Sequence, residues 1–127
     1  HLDNVEFLGS LPLEKLPGFL AGIDVGLGVF GESEKAGRVI PNKAYDVIAM
    51  KKPLITADTE AIKELFIHKK NAYLCRKADA ESLARAILKL KRNKKLREKI
   101  AAGGYKLYLE KCTPEKIGEE LVAALKR

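Results

Sequence analysis

Val25-Gly26-Leu27-Gly28-Val29-Phe30-Gly31, a loop on to Gly37, then Val39-Ile40-Pro41-Asn42-Lys43-Ala44-Tyr45-Asp46-Val47-Ile48-Ala49-Met50-Lys51-Lys52-Pro53-Leu54-Ile55-Thr56 occupy the middle of this 127-residue chain. The outer segments are short, β-rich and bounded by glycine or proline, as strands are. Between them, Pro41 suits the first turn of a helix. Strand, helix and strand in that order describe a βαβ unit, whose strands must run parallel. Working outward, Val5 to Leu8, Asp24 to Phe30, Pro53 to Thr56 and Ala72 to Cys75 are the strand candidates. Each of the three connections has room for one helix, with Pro17 in the first turn of the first. The last three strands are expected to be sequential parallel neighbours, and Val5 to Leu8 the least well placed.

Beyond Cys75 the pattern is helical alone. One helix is expected from about Asp79, with Leu83, Ile87 and Leu90 on one face, and another from Lys94, with Leu96, Ile100 and Leu107. Gly103-Gly104 is expected to loosen the second. Thr113 before Pro114 gives a cap and a first-turn proline to a terminal helix carrying the stripe Ile117, Leu121, Val122 and Leu125. These three helices are expected to pack as a carboxy-terminal group. The fold class is α/β: a Rossmann-like parallel sheet with flanking helices and that terminal group.

An apolar content of 46% in 127 residues suits one domain or part of one. No apolar run approaches the roughly 20 residues that span a bilayer. The start, His1-Leu2-Asp3-Asn4, lacks the basic and apolar regions of a signal peptide, so a soluble, cytoplasmic protein is expected. Cys75 and Cys112 have no metal-ligand spacing and are expected to be free, buried thiols, with no metal site and no cofactor. The absence of Gln and Trp beside abundant Lys and Glu tilts towards a thermophilic source. The net charge of +7, much of it from Lys89 to Lys99, favours anionic partners without choosing among nucleotides, nucleic acid and acidic lipid.

In open parallel sheets ligands sit beyond the carboxyl ends of the strands, and the loop from Gly31 through Glu32 to Arg38 is longer there than a plain connection needs. If Pro41 is the first helical residue, the cap falls to Ile40, which has no side-chain oxygen for the amides of Asn42, Lys43 and Ala44. Those donors, the helix dipole and the Lys43 ammonium would suit a phosphate; the bland alternative is a hydrated helix start. Lys43 and Asp46 share a face, close enough to pair or to bind two parts of one ligand. A surface ion pair would contribute only about 0.2 to 0.5 kcal/mol, a weak reason to place both charges beside such a loop. A carboxylate one turn into the helix can instead accept from ribose hydroxyls while the helix start holds a diphosphate.

The run Val39 to Thr56 resembles the donor-binding helix and following strand of retaining glycosyltransferases of the large two-domain, GT-B type family that includes glycogen and sucrose synthases. Asn4-Val5-Glu6-Phe7-Leu8-Gly9 resembles its "N-V-x-F-x-G" strand, and Gly22 to Phe30 its "A-D-V-x-L-x-P-F" strand. Asn71-Ala72-Tyr73-Leu74-Cys75 followed by Asp79 to Ala84 resembles "N-G-x-L-V … D-x-x-x-L-A", and Asn93 to Arg97 "D-x-x-L-R". The resemblance implies a partial GT-B carboxy-terminal domain over residues 1–127. Asn42, Lys43 and Ala44 would hold the donor diphosphate and Asp46 the ribose, with Gly31, Glu32 and Arg38 in a donor-site loop and the catalytic residues unassigned. The family's usual spaced pair of glutamates is not kept: Asp46 stands at the second position, shorter by one methylene or roughly 1.5 Å, and Arg38 at the first.

The same resemblance implies that the first two βα units and the acceptor domain fall outside these residues, so that the fragment alone would be inactive. Its partners would be a nucleoside-diphosphate sugar, a saccharide or lipid-linked acceptor, and the amino-terminal domain of the same protein. A sugar-nucleotide epimerase of the same architecture is one alternative. A basic nucleic-acid-binding module is another, disfavoured by few aromatics and no recognition motif. Docking of the basic helices at the inner membrane face, where a lipid-linked acceptor would wait, is compatible with the leading reading. Glu64, His68, Tyr105 and Tyr108 are expected to serve surface or packing roles.

Overall fold

In the computed structural model, which describes residues 3–127, Leu54–Ala57 form a strand no residue of which is more than 1% exposed. A strand covered on both faces belongs in the middle of a parallel sheet. This strand, β2, lies between β1 (Gly26–Leu27) and β3 (Tyr73–Cys75), and both pairings are parallel. Gly26 stands opposite Leu54, and Ile55 opposite Tyr73. The order is the one expected from sequence.

Successive side chains of β2 point to opposite faces and so feed two cores. Leu54 joins Val47 and Ile48 of α3 (Asn42–Ala49), Ile62 of α4 (Glu60–Lys63), Phe66 and Leu107. Ile55 joins Ala86 and Leu90 of α5 (Ala80–Arg92) and Ile100 of α6 (Lys94–Leu107). Asp79 accepts from the Ser82 amide at 2.9 Å and Asn93 from the Leu96 amide at 3.0 Å, fixing the starts of α5 and α6 near the expected residues. Asn71, 6% exposed, accepts the Ile67 amide proton at 2.7 Å and donates to the Leu65 carbonyl at 3.4 Å, shaping the turn into β3. Asn71→Ala is expected to lower folding stability by about 1–3 kcal/mol, since it orphans two part-buried backbone groups at once. An unshifted urea midpoint would show that the turn is held by other means.

Several expectations are corrected. Val5 to Leu8 forms no strand, and Phe7 is 96% exposed, so this run has no sheet to join. Strand β1 is shorter than Asp24 to Phe30, although the Ala57 amide still reaches the Val29 carbonyl at 3.3 Å. The connection from β1 to β2 holds two helices rather than one, because Ser33 caps an extra turn, α2 (Glu34–Arg38), through the Ala36 amide. Gly103-Gly104 does not loosen α6. A Cβ on Gly104 would lie 2.9 Å from Ile48 Cγ2 and one on Gly103 3.0 Å from the Lys70 carbonyl carbon, so the glycines let α6 press against α3 and the turn before β3. The terminal group is only partly formed: α5 and α6 pack together, but α7 (Pro114–Leu125), capped by Thr113 as expected, leaves Ile117, Leu121, Val122 and Leu125 exposed.

Cys75 and Cys112 are free and buried, and burial raises both thiols above their ordinary range, which leaves them unreactive. Among the described residues no helix is long and apolar enough to cross a membrane. His1 and Leu2, where the amino-terminal reading begins, lie outside the described residues.

Candidate functional site

Pro41 is extended, with φ −67° and ψ 147°, so it caps α3 instead of opening it, and its ring offers no oxygen to the helix. By contrast α2, α4, α5, α6 and α7 each have a side-chain cap, from Ser33, Thr59, Asp79, Asn93 and Thr113. The one-residue shift changes the donor set. The Ala44 amide, on a residue with no exposure, already donates to the Pro41 carbonyl at 3.0 Å. Asn42 and Lys43, both exposed, keep amides without an acceptor among the described residues, and the positive end of the dipole lies there.

One turn on, Asp46 is half-buried on the same side of α3 as Lys43. The two form no ion pair, and neither side chain has a polar partner among the described residues; the surface-pair alternative is therefore not what the structure holds. Both instead border a groove of about 240 Å³ whose other wall is apolar: Leu16, Phe19 and Leu20 of α1 (Leu16–Ala21), with Val25 just before β1 and Leu27 within it. The groove is bordered by Gly26 and Leu27 of β1, an edge strand that among the described residues pairs with β2 alone. Gly26 lets the wall close up, since a Cβ there would come within 2.7 Å of Val47 Cγ1. Ligand pockets for small molecules commonly measure about 300–1,000 Å³, so this groove has room for part of a nucleotide.

Gly31 and Glu32 are exposed, while Arg38 is engaged by Glu34 across one turn of α2. The Phe30 carbonyl accepts the Ala78 amide proton at 2.8 Å, tying the residue before the loop to the turn between β3 and α5. Beside it in the sheet, the Thr56 hydroxyl is buried without a partner, packed where Gly28 has no side chain. Sequence reasoning missed the α1 wall, because a six-residue helix gives too short a period to reveal its face.

The remaining residues take the bland roles expected of them. Glu64 is exposed. His68 Nδ1 accepts the Leu74 amide proton at 3.0 Å, and burial followed by nearby Lys69 lowers its pKa, so the neutral ring is favoured. Tyr108 packs against the core, and Tyr105 lies beneath the Lys51 ammonium, 5.8 Å from the ring centre. No group of three or more potential metal ligands comes together among the described residues.

The fold has counterparts in known proteins. Sucrose-phosphate synthase from Thermosynechococcus elongatus superposes with a TM-score of 0.83 at 19% identity, over 98% of this chain and 30% of that one. Anabaena HepE in complex with UDP and glucose gives 0.81 at 18% identity, over 98% of this chain and 32% of that one. The carboxy-terminal domain of LpcC, a group 1 family glycosyl transferase from Francisella tularensis, gives 0.67 at 23% identity, over 87% and 53%. The chain thus spans about half the length of the LpcC domain and about a third of the other two. No curated protein sequence matches it. The model of the family "Glycosyl transferases group 1" matches residues 1–107. With the parallel sheet, its flanking helices and this match in hand, the chain belongs to the group 1 glycosyltransferase family and has the fold of a GT-B carboxy-terminal domain.

Proposed function

We propose that residues 1–127 hold the nucleoside diphosphate of a sugar-nucleotide donor while its glycosyl group is transferred to an acceptor, with retention at the anomeric carbon. The observation that carries this reading is the pairless Lys43 and Asp46 in one groove at the uncapped start of α3. In the reaction the bond between the anomeric carbon and the diphosphate oxygen breaks, and a bond to an acceptor hydroxyl forms. The leaving diphosphate gains charge as this happens. The amides of Asn42 and Lys43, the dipole and the Lys43 ammonium would oppose that charge, and the Asp46 carboxylate would accept from the ribose hydroxyls. These residues position the donor; none is assigned to the bond-breaking step, and no metal is invoked.

The HepE complexes with UDP and with UDP-glucose make UDP the first nucleotide to test. The small groove supports a site completed by further βα units along the free edge of β1 and by an acceptor domain. In this reading the acceptor is a saccharide or a lipid-linked one. Calorimetric titration of the intact protein with UDP and with uridine is expected to show the diphosphate binding much more tightly. Equal affinity for the two would remove the helix start from the site, and no binding of UDP, GDP or ADP would sink the reading.

A further inference from the structure

The formal charge of +7 is not spread over the molecule. Between Arg85 and Lys99 the sequence carries eight basic residues against one acid, Glu98, while the rest of the chain has sixteen of each sign. The whole excess therefore sits on α5 and the start of α6, joined at Asn93. Arg85, Lys89 and Arg92 recur at helical spacing on α5 and, with Leu88 and Asn93, border a shallow depression of about 460 Å³. Leu88 is 42% exposed among these cations.

The protein itself neutralises little of this charge. Arg85 meets Glu81 at 3.8 Å and Lys94 meets Glu98 at 3.9 Å, whereas Lys89, Arg92 and Lys95 have no ion-pair partner among the described residues. Lys94 and Lys95 moreover occupy the first two positions of α6, where the dipole disfavours cations, and no acid stands in that turn. A helix tuned for stability alone would carry acids there. A negatively charged surface outside the chain relieves the conflict.

We propose that this corner docks the protein reversibly on an anionic lipid bilayer, with lipid phosphates facing Arg85, Lys89, Arg92, Lys94 and Lys95, and Leu88 entering the headgroup layer. Charge complementarity sets the sign of the partner. Lipid is favoured over nucleic acid because the stretch has an exposed leucine, Leu88, among its cations and no aromatic on which bases could stack. Each such cation near an anionic membrane strengthens partitioning about fivefold.

The test is co-sedimentation of the protein with vesicles of phosphatidylglycerol and phosphatidylcholine in equal parts, beside vesicles of phosphatidylcholine alone. Binding is expected to the first only, and to weaken as salt is raised. The double variant Lys89→Ala/Arg92→Ala should bind roughly 25-fold more weakly, and Leu88→Ser about threefold more weakly, both keeping the circular dichroism and UDP affinity of the parent. Lys89→Arg/Arg92→Lys should bind as the parent does. Absence of binding to anionic vesicles, equal binding to neutral ones, or undiminished binding by the double variant would overturn the proposal. So would tighter binding of an RNA oligonucleotide with no effect of Leu88→Ser.

Discussion

Asp46→Ala is expected to lower the affinity of the intact protein for UDP roughly ten- to hundredfold, through loss of a charged hydrogen bond worth about 1.5 to 3 kcal/mol. The carboxylate is half-buried in the groove and has no partner among the described residues, so its removal leaves no orphaned group among them. The unfolding midpoint should hardly move. Lys43→Ala should weaken UDP more than uridine, since only the diphosphate reaches the helix start where amides and dipole act together. Asp46→Asn separates charge from shape: an amide can still accept from one hydroxyl, and an intermediate loss is expected. Calorimetric titration of the three variants gives the answer, and unchanged UDP affinity in Asp46→Ala would remove that residue from the site.

Gly103→Ala should be the most damaging single methyl group that can be added to α6, with an expected loss of about 3 kcal/mol of folding stability. Alanine is the better helix former by about 1 kcal/mol, so helix propensity alone predicts the opposite sign. Packing decides against it. The new Cβ would meet the Lys70 carbonyl carbon at 3.0 Å and the Asn71 Cα at 3.2 Å, both backbone atoms that no rotamer change can move aside. Forcing α6 outward would open the contact with Ile48, and overpacking of this kind costs about 1–3 kcal/mol or more. Gly118→Ala on α7, where an added Cβ meets nothing within 4 Å, serves as control and should be neutral or stabilising. A urea titration in which Gly103→Ala matches or exceeds the parent would show that α6 does not press on this turn.

Three helix starts were legible from a side chain with an oxygen standing before the helix. Asp79, Asn93 and Thr113 each accept the amide three residues on, so the boundaries of α5, α6 and α7 could be placed from local chemistry alone. Ser33 carried the same signal for α2, but two glycines nearby made the segment look like open loop. Pro41 misled by one residue, because proline's φ suits both the first helical position and the extended cap before it, and ψ decides between them. That residue cost Ala44 its place among the free donors.

By itself the sequence determined the α/β class, the parallel order of three strands and the residues Lys43 and Asp46 as a pair to watch. Each follows from local periodicity, from connection length or from a motif's order. Only the tertiary structure decided that those two charges ignore each other and share a groove with Leu16, Phe19 and Leu20, that Arg38 is occupied by Glu34, and that Gly103 and Gly104 tighten α6. It also decided that Val5 to Leu8 and the α7 stripe stay exposed. The physical reason is common to all of them: a strand or an amphipathic face acquires its energy from the surface that covers it, and a charge from the partner within reach. Those surfaces and partners come from segments distant in sequence, where periodicity and propensity carry no information.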